Sequence, residues 1–312
     1  MAFDGIVVAD LVHEFRRELI NGRISKIAQP ENDELLLTIK APDGQKRLLI
    51  SADASLPLIY LTDTNKNAPM TAPNFCMLLR KHIGGGRIVD IRQPKLERVI
   101  HFTIEHLDEM GDLCQKELIV EIMGKHSNII FCTRDGKIID SIKHVSAQMS
   151  SVREVLPGRE YFIPDTMHKA DPLTVDAGTF KDLLTTKPVP VSKAVYTSFT
   201  GISPVTAEEI CFLAGLDSSV PAKEYSDDIL FHLYTQFTIY LSAVKDGRFS
   251  PAIYYDGREP KEFSALPLTH FAQYERREYA SMSEVLRTYY FARSRLTRIR
   301  QKSADLRHIV QT

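Results

Sequence analysis

The chain has 312 residues, of which 44% are hydrophobic and 25% are charged, and its formal net charge is −1. This composition is ordinary for a globular protein with sizeable cores, and the length predicts about two domains. The near-neutral total gives no indication of a nucleic-acid partner, so such a role depends on local charge.

The first 170 residues are predicted to form an α+β domain with a mixed, mostly antiparallel sheet. Apolar residues at helical spacing, Val8, Val12, Phe15 and Leu19, predict an amphipathic first helix that ends at Asn21-Gly22. A second helix is predicted over NFCMLLRKHI, before three glycines at 84–86. The apolar runs of strand composition predict about nine strands: RISKIAQ, ELLLTIK, KRLLISA, LPLIYLT, RIVDIRQP, RVIHFTIEHL, ELIVEIM, NIIFCTRD and KIIDSIKHV.

The remainder of the chain is predicted to be helical over 171–246 and to contain short β or irregular segments over 247–282. The proline-rich segment PGREYFIPDTMHKADP, which precedes the helical part, indicates a linker. Within the helical part, SFTGISPVTAEEI resembles a helix-hairpin-helix pattern, in which hairpin amides can face a phosphate, although any short hairpin between two helices favours glycine there.

The last segment, 283–312, is predicted to begin a coiled coil. One row of its predicted seam has a spacing of seven residues: Tyr289, Leu296, Ser303 and Val310. A second row lies three positions after each of the first three: Ala292, Ile299 and Leu306. We therefore expect four units, 1–170, 171–246, 247–282 and 283–312, in an N-terminal fragment whose coiled coil has been cut.

The cysteines and the first residues indicate a cytoplasmic protein. The four cysteines lie far apart without a CxxC spacing, which argues against a zinc site, and three of them lie in apolar runs typical of buried thiols in a reducing compartment. The first residues lack the basic and apolar parts of a signal peptide, and no run approaches the roughly 18 apolar residues of a membrane span.

The turn MGKHSN places four polar residues between two predicted strands: Lys125, His126, Ser127 and Asn128. Side chains of these types suit hydrogen bonding to phosphate, ribose or base edges. The plain alternative is a solvated hairpin end, since a lone histidine is usually structural. One histidine without a neighbouring acid or nucleophile also makes neither a metal site nor a catalytic site.

Two further stretches offer cations beside unusual backbone or strand positions. Arg80, Lys81 and Arg87 surround the three glycines, which allow close backbone approach to a ligand, although a helix end favours such cations anyway. Glu97 and Arg98 open a predicted strand, where adjacent side chains point to opposite faces. Arg98 suits stacking on a base or a bidentate hydrogen bond to a phosphate. Two unrelated surface charges would explain the adjacent acid and arginine equally simply.

The last helix is basic, and its charge fits two interpretations. A row of cations suits either a rail for a phosphate backbone or the solvated face of a coiled coil: Arg287, Arg293, Arg295, Arg298, Arg300, Lys302 and Arg307. No Walker A, GxGxxG, HExxH or GxSxG pattern is present, so the sequence predicts no catalytic residue and no cofactor.

Taken together and in order, nine segments resemble the NFACT family, whose bacterial members are the RqcH and fibronectin-binding protein A (FbpA)-like proteins. The segments are MAFDG, NGRISKIAQP, FCMLLRKHIGGGRI, LERVI, EIMGKHSNII, DSIKHV, VLPGREY, GISPVTAEEI and RQKSADLRHIV. The resemblance implies an NFACT-N domain, similar in fold to the N-terminal domain of formamidopyrimidine-DNA glycosylases, then a helix-hairpin-helix domain and the first strand of a coiled-coil arm.

The resemblance also implies a function that is not enzymatic. Family members bind large ribosomal subunits obstructed by peptidyl-tRNA and hold tRNA, chiefly alanyl-tRNA in bacteria. They promote template-free C-terminal alanine tailing of the stalled chain, and the ribosome itself makes the peptide bond. The resemblance thus implies tRNA and rRNA as partners, no cofactor and a ribosome-associated cytoplasmic location.

Carried over by position, Glu97 and Arg98 match the acid–arginine pair that the family uses for tRNA, with Glu in place of the commoner Asp. The residues at 125–128 match its MGRHSN-type signature, and Lys in place of Arg at 125 favours a simple phosphate contact over a planar fork. The resemblance therefore places the MGKHSN turn beside Glu97 and Arg98, facing RNA.

Two other functions are weighed against this one. The first is a fibronectin-binding adhesin with non-classical surface exposure, as the family's older name asserts. The second is a DNA-lesion-binding protein, which the glycosylase fold suggests, although those enzymes need an N-terminal proline followed by Glu and this chain has Ala2-Phe3-Asp4. A cut coiled coil is also expected to self-associate through residues 286–310, since without a partner strand its apolar stripe is exposed to solvent.

Overall fold

The computed structural model describes the backbone of residues 3–311 and the side chains of residues 3–310. In the first half of this part, nine strands form one sheet in which every neighbouring pair is antiparallel, in the order β4-β3-β2-β1-β5-β6-β7-β8-β9. The strands are β1 (Arg23–Ala28), β2 (Glu34–Ala41), β3 (Gly44–Ser51), β4 (Leu58–Thr62), β5 (Arg87–Arg92), β6 (Val99–Leu107), β7 (Leu113–Glu121), β8 (Asn128–Thr133) and β9 (Ile138–Ser141). The predicted α+β class and the nine strands are confirmed.

The two predicted helices are present as α1 (Gly5–Leu19) and α2 (Asn74–Ile83), and they cover one face of this sheet. Helix α1 begins at Asp4, whose carboxylate Oδ1 accepts hydrogen bonds from the amides of Ile6 and Val7 at 3.0 and 3.1 Å. Its apolar stripe is fully buried, and the ring centroid of Phe15 lies 6.2 Å from that of Phe102 on β6. This face therefore holds the main core of the domain.

The other face of the sheet is covered at one end by residues 142–163. A small cluster of Val99, Ile119 and Ile130 packs there against apolar side chains of the covering segment. Tyr161 donates a 2.8 Å hydrogen bond to Glu121, and Arg153 forms an ion pair with the same carboxylate. The prediction that a linker starts at residue 157 is therefore wrong for its first part, which is packed and hydrogen-bonded.

The helical part consists of α3 (Ala177–Thr185), α4 (Val191–Ser198), α5 (Pro204–Leu213) and α6 (Asp227–Lys245). These helices enclose three buried phenylalanines, Phe180, Phe199 and Phe237, whose ring centroids are 5.0 to 5.5 Å apart. The Asp4 carboxylate also reaches this region, because its Oδ2 accepts hydrogen bonds from the hydroxyls of Ser203 and Thr206 at 2.7 and 3.0 Å. One buried acid thus joins the starts of α1 and α5.

The hairpin between α4 and α5 is an internal contact. The Thr200 amide donates to the Ala170 carbonyl, and the Gly201 carbonyl accepts from the amide of Gly5, both at 3.0 Å. Phe199 and Ile202 on either side are buried. The Thr200 N–H is therefore used within the protein and is not available to a phosphate, while the helix-hairpin-helix pattern itself stays a prediction.

The last part begins with a three-stranded antiparallel sheet of β10 (Ala252–Asp256), β11 (Glu259–Ser264) and β12 (Glu275–Glu278), in the order β11-β10-β12. A long helix, α7 (Met282–Gln311), follows and packs its first turns on this sheet and on β4. None of the helices in the described part of the chain has the length and apolar character needed to cross a membrane.

The predicted seam of α7 divides into a buried start and an exposed remainder. Tyr289 is 1% exposed and its ring lies 4.8 Å from that of Phe263, so it belongs to the core of the protein itself. Ile299, Leu306 and Val310 are exposed along the outer part of the helix. The coiled coil and the self-association through it therefore remain predictions that depend on a partner strand.

Candidate functional site

The MGKHSN turn, called the tip (residues 123–128), is a tight corner between β7 and β8. Residues Gly124–His126 form one turn of 3-10 helix, and Gly124 has a φ of +57°, in the left-handed region that favours glycine. The Ser127 hydroxyl oxygen accepts a 2.8 Å hydrogen bond from the Met123 amide and closes the corner. Lys125 and His126 are exposed on its outside.

Two of the four predicted tip residues are buried and have structural roles. Ser127 is 1% exposed, and Asn128 is 2% exposed. The Asn128 side chain donates to the carbonyl of Lys143 at 3.0 Å and accepts from the Lys143 amide at 3.1 Å. Their polar atoms are thus used to hold the tip in place, which does not favour the predicted contact of Ser127 and Asn128 with RNA, and that contact stays a prediction.

Glu97 and Arg98 lie in the turn that precedes β6 and not on the strand itself, so the prediction that they point to opposite faces of a strand does not apply. The Gln93 side chain holds this turn by donating to the carbonyls of Gly5 and Glu97 at 2.9 and 2.8 Å. The Ile122 amide donates to the Arg98 carbonyl at 2.9 Å. That bond brings the turn directly beside the tip.

A second contact fixes the same turn against the helical part. The Leu96 carbonyl lies so close to two glycines that a Cβ atom would come within 2.0 Å of it at Gly5 and within 2.1 Å at Gly201. Only residues without a side chain allow three backbone segments to meet at this distance. The 94–98 turn is thus held between α1, the α4–α5 hairpin and the tip.

Cations lie near Glu97 and near one another beside this turn, and we call Lys95, Arg98, Lys169 and Lys187 the Arg98 cluster. Burial raises the pKa of Glu97, while Arg98 and then Lys95 oppose that rise. Burial and the nearby Arg98 lower the pKa of Lys169, and burial lowers that of Lys187. Because Arg98 and Lys187 both lower the pKa of Lys169, and Arg98, Lys95 and Lys169 all act on that of Glu97, these cations lie near one another at the junction of the sheet and the helices.

The cations of the Arg98 cluster are not neutralised by ion pairs. Within residues 3–310, the structure shows no carboxylate within 4 Å of the charged nitrogens of these four side chains or of Lys125. Sequence analysis missed Lys169 and Lys187, because nothing in their spacing relates them to Arg98. Lys169 is one of two Lys or Arg residues in the segment PGREYFIPDTMHKADP, and that local charge was the available signal for it.

The remaining predicted cations, Arg80, Lys81 and Arg87, lie at the opposite end of the sheet. Arg87 on β5 is paired across the strands with Glu105 on β6. Glu105 is seven residues after Arg98 in the chain, and seven residues of strand span roughly 20 Å. All three have partners: Arg80 donates to the Ile27 carbonyl at 2.8 Å, and Lys81 and Arg87 form 3.0 Å ion pairs. They therefore do not belong to one surface with the tip.

Comparisons with known proteins agree on one family. The description "NFACT N-terminal and middle domains" matches residues 4–312. The Rqc2 homolog RqcH of Bacillus subtilis is 36% identical over 312 residues, which is 99% of this chain and 52% of that protein. The human ribosome quality control complex subunit NEMF is 22% identical over 171 residues, or 55% of this chain and 15% of that protein.

A solved structure is similar over nearly the whole chain. The N-terminal part of the fibronectin/fibrinogen-binding protein from Streptococcus suis matches with a TM-score of 0.73 at 33% identity, covering 92% of this chain and 98% of the other. The chain spans about half the length of the curated bacterial relatives that it matches. Ala2, the position at which the glycosylase comparison would need a proline, lies outside the described residues.

Proposed function

The chain belongs to the NFACT family, and we propose that it serves ribosome quality control by holding tRNA with the Arg98 cluster and the tip. The supporting observation is the group of exposed or half-buried cations near Glu97 and Lys169 that have no carboxylate partner among residues 3–310. Phosphate groups are the natural counter-charges for such a group, and RNA presents them at regular intervals. The cations paired at the other end of the sheet offer no comparable surface.

The side chains of this surface suit different parts of an RNA. Lys125, Lys169 and Lys187 are point charges that bind phosphate, whereas the Arg98 guanidinium forks onto a phosphate or stacks on a base. Glu97 sits among cations and suits a hydrogen bond to a base edge or a ribose hydroxyl. The surface thus combines charge with a few groups able to select a particular RNA.

The wider role follows from the family and is part of the proposal. The protein would bind large ribosomal subunits obstructed by peptidyl-tRNA in the cytoplasm, hold chiefly alanyl-tRNA, and promote template-free alanine tailing of the stalled chain. Peptide-bond formation is left to the ribosome, so no catalytic group of this chain is required. We also propose that α3–α6 form a helix-hairpin-helix domain and that α7 begins a coiled-coil arm.

The test is tRNA binding by Arg98→Ala, compared with Arg258→Ala. Arg258 is an exposed arginine in the hairpin between β10 and β11, so the two changes remove the same charge from exposed positions. We expect Arg98→Ala to lose binding of deacylated and alanyl-tRNA by about tenfold or more, and Arg258→Ala to bind like the parent. Melting temperatures should be nearly equal. Equal loss in both variants would show that only total charge matters.

His126→Ala tests the tip independently of the turn. The ring is exposed on the 3-10 turn, so its removal should reduce the tRNA that co-purifies with the protein and leave the melting temperature unchanged. Sequencing of that RNA identifies the tRNA. If His126→Ala lowers the melting temperature by several degrees, the residue is structural and its proposed role is wrong.

A fibronectin-binding role is the second candidate, because the Streptococcus suis structure that matches this chain is named for fibronectin and fibrinogen. Surface plasmon resonance with immobilised fibronectin separates the two functions. Binding that persists in Arg98→Ala while tRNA binding is lost would indicate two independent surfaces. Undetectable binding of the parent protein to fibronectin would exclude this candidate.

A further inference from the structure

A groove of about 1010 Å³ lies between α7 and one face of β3 and β4, and we call it the α7 groove. Its floor is apolar: Leu49 on β3 is paired across the strands with Tyr60 on β4, and Leu58 lies on the same face of β4. From α7, the side chain of Phe291 lines the groove and is 73% exposed. Exposed apolar surface with a polar rim marks interaction sites.

The side of the groove that belongs to the sheet is acidic. Glu31, Asp33 and Asp53 line it, and their side chains are exposed or half-buried. Glu34 beside them is neutralised by Lys66 in a 2.7 Å ion pair. Three carboxylates thus remain along this wall without a neighbouring cation of the sheet.

The side of the groove that belongs to α7 is basic. Residues at the spacing i, i+4, i+7 and i+11 form one ridge of the helix there: Arg287, Phe291, Ser294 and Arg298. Arg295 lies next to this ridge and also lines the groove. Within residues 3–310, neither Arg295 nor Arg298 nor any of the three carboxylates belongs to an ion pair. The two walls therefore carry unpaired charges of opposite sign.

The edge of β4 favours a helix over a strand as the occupant. The Leu61 amide donates to the Ser283 hydroxyl at 2.9 Å, and the Leu61 carbonyl accepts from the Arg287 guanidinium at 2.7 Å. An added strand would need these same backbone groups. A helix satisfies its own backbone and packs through side chains, as amphipathic helices do in apolar grooves.

The charges also disfavour RNA and a second copy of α7. The carboxylates of the acidic wall repel the phosphates of RNA. Between Glu284 and Asp305, α7 contains no acidic residue. A second α7 would therefore place cations against Arg295 and Arg298. A helix with carboxylates along one flank and cations along the other matches both walls.

The α7 groove is separate from the predicted coiled-coil seam. Leu296, Ile299 and Ser303 of that seam lie roughly a third of the way around the helix from the ridge that lines the groove. A partner strand at the seam and an occupant of the groove therefore contact different sides of α7.

We propose that the α7 groove is a docking site for an amphipathic helix of another protein. The helix places apolar side chains on Leu49, Tyr60 and Phe291, cations along the acidic wall and carboxylates along the arginines of α7. The proposal does not depend on tRNA binding by the Arg98 cluster, because no residue of that cluster lines the groove.

Fluorescence anisotropy with labelled synthetic helices tests the site. The probes are peptides of about 18 residues, stapled because such short helices are marginal in water. Three peptides share one leucine stripe and differ in their flanks, which carry Glu and Lys on opposite sides, Glu on both sides, or Lys on both sides. We expect the mixed peptide to bind the parent protein at least about fivefold more tightly than either of the others, since each of those places like charges against one wall.

Exposed residues of α7 provide matched variants. Phe291→Ser should weaken binding of the mixed peptide by about tenfold, whereas Ile299→Ser, on the other side of the helix, should bind like the parent. The double variant Arg295→Glu with Arg298→Glu makes both walls acidic and should reverse the preference in favour of the peptide with Lys on both flanks. All four side chains are exposed, so the melting temperatures should stay close to that of the parent.

Three results would overturn the proposal. The first is no binding of the mixed peptide to the parent at about 100 μM, or equal binding by Phe291→Ser and Ile299→Ser. The second is loss of tRNA binding in Phe291→Ser, which would assign the groove to RNA. The third is a dimer of the parent in analytical ultracentrifugation that Phe291→Ser abolishes and Ile299→Ser keeps, which would assign the groove to a second copy.

Discussion

Replacement of Asp10 by asparagine should stabilise the protein increasingly as the pH rises from mildly acidic to neutral. Asp10 lies on the buried side of α1 and is 5% exposed, and within the described residues its Oδ2 has no hydrogen-bond partner. Burial, and then the neighbouring Glu14, raise the pKa of Asp10 from 3.8 to about 8. The folded protein therefore keeps this carboxyl protonated where the unfolded chain has lost the proton.

The direction of this pH dependence follows from the number of protons that each state binds. Between pH 4 and pH 8 the folded state binds one more proton at Asp10 than the unfolded state does. The free energy of unfolding that this group contributes therefore falls by about 1.4 kcal/mol for each pH unit. From pH 5.5 to pH 7.5 the loss is roughly 2 to 3 kcal/mol. Asparagine has a similar shape and no proton to exchange, so the variant lacks this term.

Urea unfolding at pH 5.5, 6.5 and 7.5, followed by circular dichroism, measures the difference. The gap between Asp10→Asn and the parent should widen in favour of the variant by roughly 2 to 3 kcal/mol over this range. Asp256→Asn, at the exposed end of β10, is the matched control and should follow the parent. A gap that stays constant with pH would refute the reasoning, because it would show that Asp10 ionises equally easily in both states.

Two further predictions concern the tip and the Arg98 cluster. Asn128→Ala should lower the free energy of unfolding by about 2 kcal/mol, because the Lys143 amide and carbonyl lose their partners in a buried place; urea unfolding checks this, and an unchanged midpoint would contradict it. Lys169→Ala should reduce the slope of log tRNA affinity against log salt by about 1, as titrations at several salt concentrations can show, while Arg258→Ala leaves the slope unchanged. An unchanged slope for Lys169→Ala would place that lysine outside the interface.

The sheet and its two helices were predictable because each element carries a local signal. Apolar runs of strand composition produced the strands, and the spacing of Val8, Val12 and Phe15 produced α1. Gly124 likewise marked the tip, where a left-handed backbone is needed. The same local reasoning failed at Glu97 and Arg98, because the turn before β6 places Lys95, a residue other than glycine, at a φ of +50°.

The candidate site was only partly predictable, because its composition depends on distant parts of the chain. Ser127 and Asn128 are polar and lie in a turn, which predicts exposure. The Asn128 side chain is buried because it bonds the backbone of Lys143, fifteen residues further along, and the Ser127 hydroxyl is turned inward to accept from the Met123 amide. Lys169 lies beside Arg98 because the Ala170 backbone is hydrogen-bonded to the α4–α5 hairpin. The spacing of residues in the sequence does not predict that contact.

The close meeting of Gly5, Leu96 and Gly201 has a consequence for recognition. Three chain segments without intervening side chains leave the turn that carries Arg98 little room to rearrange. If RNA binds this turn as proposed, it meets a preorganised surface, so little conformational entropy is lost in ordering the protein on binding. Selectivity then falls on the shape of the incoming molecule, which must fit the spacing of the charges as it finds them.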